Sequence, residues 1–78
     1  MQIKSQKHTV AYMLDVVLQE QNLKNDAALA REIQVAPPTI SKVRNEVQPL
    51  GSSLLVKLHE LTGKSTKEIK ALAGATAQ

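Results

Sequence analysis

Residues that commonly carry out catalysis are few and scattered in this 78-residue chain. Its two histidines, His8 and His59, lie far apart in sequence, and cysteine is absent, so the sequence indicates neither a thiolate metal site nor a nucleophile paired with a base. The segment Gly63-Lys64-Ser65 lacks the upstream glycine of a phosphate-binding loop. We therefore expect that the protein is not an enzyme and that it binds neither a cofactor nor a metal.

Residues 36–45 combine small hydroxyl side chains with basic side chains and contain no acid. The hydroxyl groups belong to Thr39 and Ser41, and the cations are Lys42 and Arg44. Such groups hydrogen-bond to base edges and phosphate oxygens. They could instead form a solvated face, or the hydroxyls could satisfy nearby backbone groups. The formal net charge of +3 permits a nucleic-acid partner without requiring one.

The order of apolar and capping residues predicts five helices and no strand. These helices span about residues 10–21, 25–33, 37–45, 53–62 and 65–73. Their expected starts are the caps Thr9 and Asn25, Pro37 at a first helical position, the pair Ser52-Ser53 and the capping box Ser65-x-x-Glu68. We predict an all-α, compact five-helix domain at residues 9–73, with a flexible basic arm at 1–8 and a frayed C-terminus at 74–78.

Residues 25–45 are expected to form two short helices whose connection is too brief for an antiparallel arrangement. The pattern Leu29-Ala30-x-x-Ile33-x-Val35-x-Pro37-x-Thr39-Ile40-Ser41-x-Val43 resembles the helix-turn-helix of the Cro/cI-type (XRE-like) DNA-binding family. The predicted helix order over residues 9–72 is similar to that of the family as well. Gln34 stands where the family usually has glycine, and a left-handed backbone there costs about 1 kcal/mol.

The resemblance implies a compact, repressor-like domain that regulates transcription by binding double-stranded DNA, most similar to a phage or prophage Cro-like repressor. A dimer would bind a palindromic operator, with helix 37–45 in the major groove. The implied base contacts are Pro38, Thr39, Ser41 and Lys42, of which proline can offer only apolar contact, for example to a thymine methyl. The implied phosphate contacts are Asn25, Asp26, Arg44, Asn45, Lys4 and Lys7, with the Asp26 carboxylate turned aside from the phosphate.

Other expectations concern partners and location. Apolar residues available for a dimer patch are Val47, Leu50, Ile69, Leu72 and Ala73. We expect no small-molecule ligand and no membrane association, and a cytoplasmic location. The alternative function is a protein-interaction module on the same fold, such as an adaptor, a toxin-neutralising partner or an antirepressor, because fold does not fix function.

Overall fold

The computed structural model describes residues 9–74, and all regular structure within this range is helical. The helices are α1 (Val10–Glu20), α2 (Asp26–Glu32), α3 (Pro37–Arg44), α4 (Ser52–Thr62) and α5 (Thr66–Leu72). The predicted all-α class and the order of five helices are therefore confirmed for this range. The predicted arm at 1–8 and residues 75–78 of the predicted frayed end lie outside the described residues. No helix between residues 9 and 74 is both long and apolar enough to cross a bilayer.

Side chains cap three helices at the residues that the sequence indicates. The Thr9 hydroxyl and the Asn25 side-chain oxygen each accept the backbone N–H three residues later, at 3.0 and 2.9 Å. At the start of α5, Ser65 and Glu68 form a reciprocal capping box, in which each side chain accepts the other residue's N–H at 3.1 Å. Each cap satisfies an amide that has no acceptor within its helix.

The start of α4 differs from the prediction. Its N-cap is Gly51 and not the Ser52-Ser53 pair, and no side chain caps the helix. Ser52 and Ser53 are instead its first two residues and are exposed. The helix begins earlier because Gly51 already has the extended backbone of an N-cap, with φ −79° and ψ 165°.

Three consecutive helices are each followed, two residues after their last residue, by a non-glycine residue with a left-handed backbone. These residues are Asn22, Gln34 and Glu46, with φ of 58°, 61° and 60°. The N–H of each following residue donates to the carbonyl five residues back, which is the Schellman arrangement: Leu23 to Leu18, Val35 to Ala30 and Val47 to Lys42, at 2.8, 2.9 and 2.9 Å. The left-handed backbone expected at Gln34 is therefore present.

The core forms where α1 packs against α3 and α5, α2 against α3, and α4 against α5. Its fully buried larger side chains come from every helix: Met13, Leu14, Val17, Leu29, Ile40, Val43, Leu58 and Ile69. Two residues considered for a dimer patch, Ile69 and Ala73, are buried in this core, and Leu50 and Leu72 pack partly against it. The apolar area of these four residues is therefore wholly or partly used within the fold, which leaves less of it for a dimer patch. Val47 alone of that set is a large exposed side chain, at 75%.

Candidate nucleic-acid interface

Helix α3 presents one continuous set of exposed residues. They are Pro37, Pro38, Ser41, Lys42 and the C-cap Asn45. At 3.6 residues per turn these positions fall within an arc of about 140° on one side of the helix. We call this surface the exposed stripe of α3. It brings together four of the side chains for which DNA contacts were predicted, while the opposite side of α3 is buried in the core.

The stripe also contains a residue that the sequence analysis did not select. Pro37 is exposed and lies one helical turn before Ser41, on the same side of α3. The four-residue spacing between Pro37 and Ser41 could have identified it, because residues four apart share a helix face.

Thr39 lies outside the stripe. It is half-buried and lines a cleft between α3 and the segment that leads into α4, together with Gln48, Pro49 and Leu54. Its side chain therefore faces the rest of the domain more than it faces outward. This position gives no support to the predicted base contact of Thr39. The next residue, Ile40, is fully buried, and packing of α3 on that side places Thr39 against the segment that leads into α4.

The first turn of α3 has few hydrogen-bonding groups. Pro37 and Pro38 have no N–H, and the Thr39 N–H donates to the Ala36 carbonyl at 2.9 Å. Ala36, the N-cap, makes no side-chain capping bond and is exposed, as are both prolines. We call Ala36, Pro37 and Pro38 the apolar tip of α3. Its side chains are all hydrocarbon, and the two prolines remove the amides through which the first turn of an ordinary helix holds a phosphate.

The polar part of the stripe follows the apolar tip. Lys42 is exposed and has no ion-pair partner among residues 9–74. The Asn45 side-chain amide donates to the Ser41 carbonyl at 3.0 Å, which holds it against the last turn of α3. An amide group has a second N–H and an oxygen, so Asn45 can still contact a partner.

Arg44 points in a different direction and is held by two carboxylates. Its Nε and Nη2 donate to the two oxygens of Asp26, each at 2.8 Å, and its Nη1 donates to Asp15 Oδ1 at 2.8 Å. The three side chains are between 17% and 27% exposed. Hydrogen bonding to Asp26, against partial burial and with help from Asp15, raises the pKa of Arg44 above its ordinary value. Arg44 therefore stays protonated, and its guanidinium is held in place by the two carboxylates.

Arg44, Asp26 and Asp15 form an ion-pair cluster, and two of them, Arg44 and Asp26, were predicted to contact phosphates. Each nitrogen of the Arg44 guanidinium already donates to a carboxylate, so the geometry does not support a phosphate contact by Arg44. The Asp26 carboxylate is turned toward Arg44, in agreement with the expectation that it turns aside from a phosphate. The role of Asp15 was not predicted, and it lies 29 residues from its partner, where no local pattern could reveal it.

The same cluster brings two other predicted phosphate contacts to one end of the helix pair. Asn25 directly precedes Asp26, and Asn45 directly follows Arg44, so both flank the Arg44–Asp26 ion pair. The Asn25 side chain caps α2, and both asparagines are exposed. The remaining predicted phosphate contacts, Lys4 and Lys7, lie outside the described residues.

The net positive charge is distributed unevenly along the chain. All seven acids and eight of the ten basic residues lie within positions 9–74, since only Lys4 and Lys7 lie outside this range. The folded unit thus has a formal charge of +1, and the segment 1–8 supplies the other two positive charges. Any electrostatic attraction to a polyanion therefore depends strongly on those two lysines.

Comparison of the chain with protein-family models, with curated proteins and with solved structures found no match. Among residues 9–74 there is also no group of three or more histidine or carboxylate side chains that could hold a metal ion.

Proposed function

We propose that this protein is a sequence-specific regulator of transcription that binds double-stranded DNA, acting as a repressor similar to those of the Cro/cI-type family. Two protomers would each place α3 in the major groove of one half of a palindromic operator. The observation that carries the proposal is the exposed stripe of α3, where Ser41 and Lys42 stand outward from a helix whose other side is anchored in the core.

The dimensions and chemistry of α3 support this proposal. Its eight residues make a rod about 12 Å long, and an α-helix with its side chains is about 10–12 Å across, which fits a major groove about 12 Å wide. A lysine can donate to the O6 and N7 acceptors of guanine, and a serine can donate or accept at several base edges. Lys42 and Ser41 are adjacent in the stripe and can therefore contact neighbouring base pairs.

The ion-pair cluster supports the proposal through rigidity. Arg44 joins the end of α3 to the start of α2 and to the middle of α1, so α3 is fixed relative to the rest of the domain. Recognition of a DNA sequence requires the contacting side chains to be held close to their bound positions before binding. At the same end of the helix pair, Asn25 and Asn45 are exposed and available for phosphate oxygens.

The decisive experiment is selection from a pool of randomised duplex DNA with the purified full chain at near-physiological salt. We expect enrichment of a palindrome whose half-sites are centred about 34 Å apart. Lys42→Glu should abolish binding to the selected site, whereas Lys67→Glu, the same charge reversal at an exposed position of α5, should weaken it only modestly. Absence of any enriched sequence with the folded protein would overturn the proposal.

A protein-interaction module is the alternative that a separate observation favours. Val47 and Val56 are large apolar side chains that are 75% and 45% exposed, and a protein partner could cover either of them. A module of this kind would show little salt-dependent affinity for duplex DNA. Binding to the selected operator that weakens steeply with salt would therefore decide for the DNA-binding function.

A further inference from the structure

We propose that the apolar tip of α3 recognises the 5-methyl group of thymine, with Pro38 as the residue that determines this specificity. Each half-site of the operator would then contain a thymine opposite Pro38. The inference rests on the proposed DNA-binding function and names one chemical feature that the same surface reads.

The first step of the argument is the lack of polar side-chain atoms at the tip. Neither Pro37 nor Pro38 has an N–H, Ala36 has no polar side-chain atom, and the Thr39 amide is already bonded to the Ala36 carbonyl. Placed against the edge of guanine, adenine or cytosine, the two proline rings would cover hydrogen-bonding groups and give them no partner, which is unfavourable.

The second step is the chemistry of the major groove. Its floor displays donors and acceptors from all four bases, and thymine alone of these bases adds a methyl group at its edge. A hydrocarbon surface that enters the groove can therefore gain free energy by covering that methyl. The match is one of apolar to apolar surface, and it selects thymine over the other three bases.

The third step is the position of Pro38 within the stripe. Pro38 lies one helical turn before Lys42 and on the same side of α3. If Lys42 donates to a base in the groove, Pro38 faces the floor of the groove near a neighbouring base pair. Pro37 is displaced by one residue around the helix and lies beside Ser41, so it makes the smaller contribution.

The fourth step concerns the entropy of binding. A proline ring fixes the backbone φ and loses almost no side-chain freedom when it becomes buried. Two consecutive prolines therefore present a preformed surface, and covering a methyl with them does not require ordering of a flexible chain. This makes even a small apolar contact effective in discriminating between bases.

The test uses the operator selected above and replaces its thymines by uracil one position at a time. Uracil keeps every hydrogen-bonding group of thymine and lacks only the methyl. For the wild-type protein we expect about fourfold weaker binding at one position in each half-site, from the burial of one methyl group, and about fifteenfold when both half-sites are changed. Uracil at the other positions should have little effect.

The Pro38→Ala variant then assigns the effect to its residue. We expect this variant to bind the thymine and uracil operators with nearly equal affinity, because alanine does not reach as far from the helix. A merely structural role of Pro38 would weaken binding to both operators and leave their ratio unchanged. The control Lys67→Ala, on an exposed position of α5, should keep the full thymine preference.

The outcomes separate the two proposals. If no sequence is enriched, the DNA-binding function itself fails. If a palindrome is enriched but the wild-type protein binds its uracil form equally well, methyl recognition is wrong while the function stands. If the wild-type protein prefers thymine but both Pro38→Ala and Pro38→Ser keep the wild-type ratio, the methyl is recognised by another residue and its assignment to Pro38 is wrong. The uracil measurement on the wild-type chain tests the inference even if a proline variant does not fold.

Discussion

Arg44, the last residue of α3, forms a bidentate ion pair with Asp26, the first residue of α2, with both N–O distances at 2.8 Å. The pair closes the helix pair at the end opposite the connection 33–36. Asp15 on α1 accepts from the same guanidinium, so a single side chain joins three helices. These contacts are partly sheltered from water, which strengthens them relative to fully exposed ion pairs.

Substitution of Arg44 should destabilise the domain because it removes the cation that the half-buried carboxylates of Asp15 and Asp26 both bind. We expect Arg44→Ala to lower the free energy of unfolding by about 2 kcal/mol, and Arg44→Lys by about 1 kcal/mol, since lysine cannot form the bidentate pair. Urea denaturation followed by circular dichroism measures both. The matched control is Arg31→Ala, at an exposed position of α2, which should change the stability by less than about 0.5 kcal/mol. Equal effects of Arg44→Ala and Arg31→Ala would contradict the structural role of the cluster.

Replacing Gln34 by glycine should stabilise the domain. Its φ of 61° is strained for a residue with a Cβ, and relief of that strain exceeds the entropy that glycine adds to the unfolded chain, for a net gain of about 0.5 kcal/mol. Thermal unfolding measures the gain. Asn22→Gly is the control, because asparagine tolerates the left-handed region and should gain much less. A loss of stability in Gln34→Gly would show that the strain is absent.

Two glycines that flank α4 should respond in opposite ways to the same substitution. Gly51→Ser adds a capping hydroxyl at an extended N-cap with open space around the new Cβ, for an expected gain of about 0.5–1 kcal/mol. Gly63→Ser forces a residue with a Cβ into φ 77° and should lose about 1 kcal/mol. Denaturation midpoints of the two variants give the comparison, and a change of the same sign in both would be inconsistent with the two backbone conformations.

Lys4 and Lys7 should account for much of the salt dependence of DNA binding. If each contacts a phosphate, the double variant Lys4→Gln/Lys7→Gln should reduce the slope of log affinity against log salt by about 2 for each protomer. Titrations of a labelled duplex at several salt concentrations measure this slope. The control Lys67→Gln/Lys70→Gln removes the same charge from exposed positions of α5. An equal decrease in both double variants would exclude specific phosphate contacts by the segment 1–8.

The sequence by itself determined the helices, because their determinants are local. Caps such as Thr9, Asn25 and Ser65 act over three residues, Pro37 suits a first helical turn, and Gly63 suits a left-handed helix end. Apolar residues three and four apart likewise fix which side of each helix enters the core. The one incorrect start, at Ser52-Ser53, arose because several adjacent residues can serve as an N-cap, and the backbone of Gly51 decides among them.

Only the tertiary structure decided how the polar residues are used. Arg44 and Lys42 have similar sequence surroundings, yet Arg44 is engaged by carboxylates 18 and 29 residues away while Lys42 remains exposed. The same applies to Thr39, which the packing of α3 turns toward α4, and to Ile69, which is used in the core. Contacts between distant segments depend on how the helices pack, and a helix period specifies the buried face of an element without specifying its neighbour.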